Sequence, residues 1–287
     1  MDGVRIGNDE VSVEVSPLGA EMQALRTSDG QSWLWNGDPA LWSGRSPILF
    51  PIVGRAPEDQ LGIAGENYAM GQHGFARRSL FSLAARGSDF CRFELRASAA
   101  SRAAYPFDFL LAVEHRVVGR GVAVSAELRN LDSRSMPFGI GFHPAFCWPL
   151  PGCAGAVHEV RLDNGAEPLL MRLQGGLLRP EALASPFAQG TLRLDPGLFA
   201  ADAMIFPEGA GSGLRYGAGG KAVRLTWKNL PNLAIWSKPG APFVCLEPWH
   251  GMAARLGEGN GIEARPFTMV LAPGAVSRHG FTATLSG

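Results

Sequence analysis

Hydrophobic and polar residues alternate in short segments from one end of the chain to the other. Val11, Val13 and Val15 alternate with polar residues, and the same period of two recurs at residues 91–96, 122–129, 223–228 and 281–285. Because successive side chains of a β-strand point to opposite faces of the sheet, we predict that each segment is a strand with one buried face.

Stretches rich in glycine and proline separate the alternating segments, at residues 149–155, 209–220 and 239–242. Such stretches mark turns, and we interpret residues 209–220 as a hairpin loop. Residues 180–187 are the place where we expect one short helical turn. Many short strands joined by turns predict an all-β fold of antiparallel sheets, either a sandwich or a barrel. Since no change in composition marks a boundary, we expect a single domain over residues 1–287.

The composition favours a folded protein that acts on a small molecule. Hydrophobic residues make up 46% of the chain and charged residues 18%, which is unlike a disordered chain. Acidic and basic residues number 26 each, so the basic excess of a nucleic-acid-binding protein is absent from the sequence. We therefore expect a substrate that is neutral or charged at one point, and no nucleic-acid partner.

The four cysteines form no CxxC pair: Cys91, Cys147, Cys153 and Cys245. We interpret them as reduced thiols, and we expect no metal site and no cofactor. The N-terminal sequence lacks the pattern of a signal peptide, and no apolar run approaches the roughly 20 residues that span a bilayer. The sequence therefore predicts a soluble, cytoplasmic protein without a membrane partner, present as a monomer or a weak homodimer.

The first candidate for chemistry is the segment FGIGFHPAF at residues 138–146. Alternation places Gly139, Gly141 and His143 on one face, so we expect open space beside the imidazole where a ligand could lie. Pro144 should end the strand directly after His143. The alternative is a histidine of the core, held by one hydrogen bond.

The second candidate is the segment FVCLEPW at residues 243–249. Glu247 shares a face with Phe243 and Cys245, and Pro248 should end the strand after it. Burial disfavours an ionised carboxylate and raises its pKa, which suits a general base. The alternative is a carboxylate that pairs with an arginine or is exposed in a loop.

The third candidate region gathers four arginines and a histidine around apolar strands within residues 45–78: Arg45, Arg55, His73, Arg77 and Arg78. Guanidinium groups suit the recognition of hydroxyl, carboxylate or phosphate groups, although any single arginine is more often an ordinary surface charge. His73 is the stronger candidate, because Gly74 should leave space beside it.

Five motifs in this order resemble those of the aldose 1-epimerase (galactose mutarotase) superfamily: LFPIVGR, QHGFAR, MPFGIGFHPAF, DAMIF and CLEPWHG. The resemblance extends from Val11 to Phe281 and is strongest to the bacterial LacX-like branch. It implies a large antiparallel β-sandwich, called a supersandwich, with the sugar in a cleft across one sheet face. The main branch of the family needs no metal for catalysis.

In this family a histidine and a glutamate are catalytic, and they correspond to His143 and Glu247. Exchange of anomers requires the sugar ring to open, with a base at the C1 hydroxyl and an acid at the ring oxygen. We assign Glu247 as the base and His143 as the acid, since the pKa of a histidine lies near working pH. We expect the two groups on opposite sides of the anomeric region.

Sugar-binding roles are expected for five further residues: Arg55, His73, Asp202, Arg77 and Trp236. The resemblance implies the first three, which correspond to binding residues of the family. Arg77 would supply a phosphate contact, and Trp236 or Trp249 an apolar wall against the sugar. Gly54 stands where galactose mutarotases commonly have an asparagine, and residues 144–146 also differ from the family pattern, so the identity of the sugar is open.

Three alternatives are open. A hexose-6-phosphate mutarotase, from a sister branch, would use Arg77 and Arg78 for the phosphate. A glycoside hydrolase would need a second acidic residue about 5 to 10 Å from Glu247, for which Asp202 is the candidate, but it leaves His143 without a role. The third alternative is a non-catalytic carbohydrate-binding protein, since a fold does not guarantee activity.

Overall fold

The computed structural model describes residues 3–287 and is built mainly of strands, with 46% strand and 6% helix. Met1 and Asp2, the first residues of the segment we searched for a signal peptide, lie outside the described residues. In chain order the described strands are β1 (Val4–Gly7), β2 (Val11–Val15), β3 (Met22–Thr27), β4 (Ile48–Leu49), β5 (Gln60–Ile63), β6 (Glu66–Ala69), β7 (Ser82–Arg86), β8 (Phe90–Arg96), β9 (Phe109–Val117), β10 (Gly121–Asn130), β11 (Met136–Phe138), β12 (Ile140–Phe142), β13 (Ala145–Cys147), β14 (Glu159–Leu162), β15 (Leu173–Gln174), β16 (Leu177–Leu178), β17 (Thr191–Arg193), β18 (Met204–Phe206), β19 (Gly213–Ala218), β20 (Lys221–Lys228), β21 (Asn232–Trp236), β22 (Phe243–His250), β23 (Met269–Leu271) and β24 (Val276–Ser286).

Helices are short in the described part of the chain. The α-helix α1 (Ala99–Arg102) begins at Ser98, whose side chain accepts from the Ser101 backbone N–H while the Ser101 hydroxyl accepts from the Ser98 N–H. The 3₁₀ helices are Pro57–Asp59, Ala76–Arg78, Pro196–Phe199 and Ile262–Ala264. Among residues 3–287 no helix has the length and apolar character needed to cross a membrane.

The helical turn that we predicted within residues 180–187 is absent, so that prediction is wrong. The backbone N–H and carbonyl of Leu183 both pair with Leu170, at 2.8 and 3.0 Å. These groups are therefore engaged in sheet-like pairing and cannot form the hydrogen bonds of a helical turn.

Two antiparallel sheets contain most of the strands. The nine-stranded sheet has the order β17-β14-β19-β20-β24-β10-β9-β8-β7. The six-stranded sheet has the order β18-β21-β22-β12-β4, and β13 also pairs with β22. Phe142 of β12 packs against Phe281 of β24, with ring centroids 5.2 Å apart, so the side chains of the two sheets meet in a shared core. The remaining sheets are β1-β2-β3, β11-β23, β15-β16 and β5-β6.

The alternating segments of the sequence are strands with one buried face, as predicted. They correspond to β2, β8, β10, β20 and β24. In β10 the residues Val122, Val124, Ala126 and Leu128 are all buried, and their alternate neighbours are more exposed. The largest cluster of buried side chains draws residues from Val4 to Leu285, and the all-β, antiparallel sandwich that we predicted is confirmed.

Residues 209–220 were interpreted as a hairpin loop, and this is wrong for half of the segment. Gly213–Ala218 forms β19, which pairs with β14 on one side and β20 on the other. Tyr216 is fully buried, and its hydroxyl donates to the Cys147 carbonyl at 2.9 Å. The buried side chains of Leu214 and Tyr216 supply the alternation that the glycines obscure in the sequence.

Strand β22 positions the candidate site, and it does not end at Pro248 as we had expected. The strand continues to His250 because Pro248 lies where the neighbouring strand is interrupted. The Leu246 N–H donates to the Pro144 carbonyl, and alternate residues of a strand direct their backbone nitrogens to the same side. The nitrogen of Pro248 therefore faces the break between β12 and β13. Val244 and Leu246 belong to the main core. Alternation then places Glu247 on the opposite face of the sheet.

Candidate active site

A cavity of about 340 Å³ opens on the face of β22 that carries Glu247. This volume lies within the range of roughly 300 to 1,000 Å³ that is typical of small-molecule sites. The structure brings six of the seven predicted site residues to its wall: Glu247, His143, His73, Asp202, Arg77 and Trp236. Only Arg55 among the seven is not part of this wall.

His143 and Glu247 lie side by side in this wall. Nε2 of His143 is 3.1 Å from Oε2 of Glu247, and the two side chains are 8% and 1% exposed. The angle between them is unfavourable for a hydrogen bond, and Glu247 Oε2 and His143 Nδ1 are buried without a hydrogen-bond partner among the described residues. We expected the two groups on opposite sides, and the geometry corrects this. Because the C1 hydroxyl and ring oxygen of a sugar share one carbon, adjacent groups can reach both.

Burial shifts the pKa values of this pair in opposite directions. Loss of solvation raises the pKa of Glu247 well above its ordinary value, and the charge of Asp202 adds to this shift. Loss of solvation lowers the pKa of His143 to about 3, and the positive charge of Arg77 contributes. Burial therefore favours a protonated carboxyl and a neutral imidazole over a carboxylate and an imidazolium.

His73 is held as a neutral hydrogen-bond donor. Its Nδ1 accepts from the Gly54 backbone N–H at 3.1 Å, so the ring proton is on Nε2. Burial lowers the pKa of His73 well below its ordinary value, and His143, with ring centroids 5.7 Å away, adds to this effect. The Nε2–H group lies 3.3 Å from the side-chain amide of Gln72, which also lines the cavity, so a sugar oxygen that accepts from it would take the place of Gln72.

The glycines of these motifs do not open space for a ligand, contrary to our expectation. A Cβ atom on Gly141 would lie 2.5 Å from the indole of Trp249, and one on Gly139 would lie 3.3 Å from the His250 carbonyl oxygen. At Gly74, where φ is +73°, a Cβ atom would overlap the Phe50 backbone. The glycines instead allow the elements that carry the site to pack closely against one another.

Arg55 is not part of the cavity wall and pairs with Asp59. Its Nε and Nη2 each donate to a carboxylate oxygen of Asp59 at 2.8 Å, a bidentate pair in which both side chains are about two-fifths exposed. A sugar-binding role for Arg55 stays a prediction, and it would require this pair to open.

Asp202 and Arg77 bring opposite charges to the wall of the cavity. Asp202 is exposed, lies just before β18 with φ of +65°, and accepts from the Ala203 N–H at 2.8 Å. Arg77 is half-buried, and burial lowers its pKa. None of the salt bridges found within residues 3–287 involves Arg77.

Sequence reasoning missed Trp42, which packs over the proposed acid. Its ring centroid is 5.0 Å from that of His143 and 5.4 Å from that of Trp236. Trp249 lines the same cavity, as does Gln72. Trp42 lies in a loop without alternation, so no local pattern marks it, although a tryptophan among polar and glycine residues is itself a signal.

Arg265 was also missed, and it supports the loop that holds His73. It is 5% exposed and donates to the carbonyls of Val53 at 2.7 Å, Met252 at 2.9 Å and Arg55 at 3.1 Å. These hydrogen bonds hold together the segment that contains Gly54 and the segment that contains Ala253, and both of these residues line the cavity.

We expect Arg265→Met to lower the free energy of unfolding by at least about 2 kcal/mol, because it leaves buried carbonyls without donors. Denaturant unfolding measures this. The matched control is Arg255→Met, which removes a half-exposed ion pair with Glu258 and should change stability by less than about 0.5 kcal/mol. Equal changes in the two variants would contradict the role assigned to Arg265.

The chain is similar to proteins of one family. The sequence profile described as "Aldose 1-epimerase" matches residues 2–165. The chromosomal and plasmid LacX proteins of Lactococcus lactis subsp. lactis are 30% and 29% identical to it, over 98% of this chain and 99% of theirs. Two crystal structures are also similar along the whole chain.

The first of these is a galactose mutarotase related enzyme from Lactobacillus acidophilus, with a TM-score of 0.94 and 26% identity over 99% of this chain and 97% of that one. The second is a galactose mutarotase-like protein from Lactobacillus casei ATCC 334, with a TM-score of 0.92 and 27% identity over 99% of both chains.

Proposed function

Since the chain belongs to the aldose 1-epimerase family, we propose that it interconverts the α and β anomers of an aldose, with Glu247 as base and His143 as acid. The observation that carries this proposal is the pair itself. Two titratable groups, 3.1 Å apart and almost fully buried, form part of the wall of a cavity that suits a small molecule. Buried titratable pairs with shifted pKa values are typical of acid–base sites.

The reaction conserves the one exchangeable proton of the pair. In the form that burial favours, the proton of the pair is on Glu247, and it must first pass to Nε2 of His143, 3.1 Å away. The resulting carboxylate of Glu247 then takes the proton of the C1 hydroxyl, the bond from C1 to the ring oxygen breaks, and the imidazolium of His143 protonates that oxygen. The products are an open-chain aldehyde, a carboxylic acid and a neutral imidazole. After rotation about the C1–C2 bond, the same transfers run in reverse and close the ring on the other face.

The shifted pKa values favour the open-chain stage. A protonated Glu247 and a neutral His143 are the forms that burial stabilises, and they are also the forms that accompany the aldehyde. The environment therefore favours the open-chain stage over the closed sugar bound to carboxylate and imidazolium.

The other residues of the wall would bind and orient the sugar. The Nε2–H of His73 would donate to the ring oxygen or a neighbouring hydroxyl, and Asp202 would accept from a distal hydroxyl. The rings of Trp42, Trp236 and Trp249 would cover the C–H face of the sugar and exclude water.

The pH dependence of kcat/KM tests the assigned proton count. Activity is lost when the pair gains a second proton or loses its only one. Because the pKa of His143 is lowered to about 3, kcat/KM should stay constant as the pH falls through the ordinary histidine value of 6.5. Because the pKa of Glu247 is raised, the decline should come as the pH rises through that raised value. The measurement is the catalysed rate minus the spontaneous rate; an acidic decline centred near 6.5 would contradict this proton count.

A sugar that carries a phosphate is the second candidate substrate, and the observation that favours it is Arg77. This half-buried cation lines the cavity and takes part in none of the salt bridges of the described residues. We expect Arg77→Gln to raise KM for a 6-phosphorylated aldose by about tenfold or more, since a hydrogen bond to a charged group contributes about 1.5–3 kcal/mol. The exposed neighbour allows a matched control, Arg78→Gln. Equal effects of Arg77→Gln on free and phosphorylated sugars would exclude the phosphate contact.

Polarimetry of a freshly dissolved pure anomer tests the proposed reaction against its rivals. The proposal predicts that the protein speeds the approach to the equilibrium rotation. Release of reducing sugar from an aryl glycoside would instead indicate a glycoside hydrolase. Calorimetric binding of sugars without any acceleration would indicate a non-catalytic carbohydrate-binding protein.

A further inference from the structure

A free thiol lies beside the proposed acid and base, and the proposed reaction does not use it. Cys245 precedes Glu247 by two residues in β22, so both side chains are on the face that carries the site. Cys245 is fully buried and forms no disulfide. Its sulfur, an imidazole nitrogen of His143 and a carboxylate oxygen of Glu247 lie within 4.8 Å of one another.

The spacing of these groups is close to that of a zinc site. Thiolate, imidazole and carboxylate are the ligands of tetrahedral Zn²⁺, and such ligand atoms lie about 3.3 to 3.6 Å apart around the ion. His143 Nε2 and Glu247 Oε2 are 3.1 Å apart. Since no pair in the cluster exceeds 4.8 Å, closing on an ion needs shifts of about 1 Å.

The cluster also contains polar atoms that lack partners. Glu247 is 1% exposed, and its Oε2 has no hydrogen-bond partner among the described residues. Buried polar atoms of native proteins are nearly always paired, so this atom is available to a ligand. Three protein ligands would leave the fourth position of a tetrahedral ion to water, as in zinc sites with an open position. Two of the three ligands, His143 and Glu247, line the cavity from which water can enter.

We propose that His143, Cys245 and Glu247 form a binding site for a thiophilic divalent cation such as Zn²⁺, and that the bound ion inhibits the enzyme. The thiolate and the carboxylate together balance the two positive charges of the ion in these apolar surroundings. Binding releases the protons of Cys245 and Glu247 to solvent, and the ion then occupies the lone pairs that proton transfer needs. The inhibition rests on the proposed function, whereas the metal site itself does not.

Two readouts on the intact chain test the site. In a Cd²⁺ titration, we expect ultraviolet absorption from a cadmium–thiolate bond to saturate at one ion per chain and to be lost in Cys245→Ser. In anomer exchange, Cys245→Ser should raise the Zn²⁺ concentration for half-inhibition by at least about tenfold, relative to its own uninhibited rate, because it removes one of three ligands. Cys91→Ser and Cys147→Ser are matched controls that should retain both properties.

The absence of cadmium–thiolate absorption in the unmodified chain, or unchanged zinc sensitivity in Cys245→Ser, would overturn the proposal. Circular dichroism checks that the serine variant is folded, and Cys245→Ala replaces it if it is not. If the chain exchanges no anomers, the cadmium titration still decides whether the site exists, so failure of the proposed function and failure of the metal site are distinguishable.

Discussion

Glu247→Gln is expected to lower kcat/KM for anomer exchange by at least about 10²- to 10⁴-fold, because an amide cannot take the proton of the C1 hydroxyl. The fold should be retained. Burial raises the pKa of Glu247 and so favours its neutral carboxylic acid form, which glutamine matches closely in shape and charge. Polarimetry measures the rate, and calorimetry should show that sugar binding persists.

The control for this variant is Glu258→Gln. Glu258 is half-exposed and pairs with Arg255, away from the cavity, so its replacement should leave the exchange rate near that of the unmodified protein. A folded Glu247→Gln protein with an unchanged rate of anomer exchange would contradict the assignment of Glu247 as the base.

His143→Ala is expected to slow exchange by about 10²- to 10⁴-fold, because the ring oxygen loses its proton donor. The substitution also leaves a space that lies against the cavity, so added imidazole should restore part of the rate. A structural defect would show no such rescue. The rate is measured by polarimetry with and without imidazole.

His250→Ala is the matched control for the acid. His250 lies one position beyond Trp249 on the opposite face of β22, where it donates to the Asn229 carbonyl at 3.0 Å. Its loss should leave exchange close to that of the unmodified protein. Near-normal exchange in His143→Ala would point instead to His73, whose side chain also lines the cavity.

Local alternation predicted the strands well because burial of one face acts on each segment separately. It identified the buried face of β10 and the shared face of Cys245 and Glu247. It did not predict that β22 continues through Pro248, because this depends on a break in the neighbouring strand. It also did not predict that Trp249 fills the space beside Gly141, since that contact depends on how β22 packs against β12.

The candidate site shows the same division between local and long-range information. Strand parity and the motifs brought His143, His73 and Glu247 to one cavity. They did not show that Arg55 pairs with Asp59, because side-chain direction is set by the folded surroundings. Arg265 escaped notice because it acts on carbonyls as far as 212 residues away in sequence.

The most direct test of the proposed acid–base site is exchange spectroscopy by NMR on a panel of free and 6-phosphorylated aldoses at anomeric equilibrium. For at least one sugar, we expect the exchange rate between the α and β signals to rise in proportion to protein concentration, without a change in their ratio. Glu247→Gln should abolish this increase. If sugars bind but no member of the panel exchanges faster, the protein binds carbohydrates without acting on them, and the proposed roles of Glu247 and His143 are contradicted.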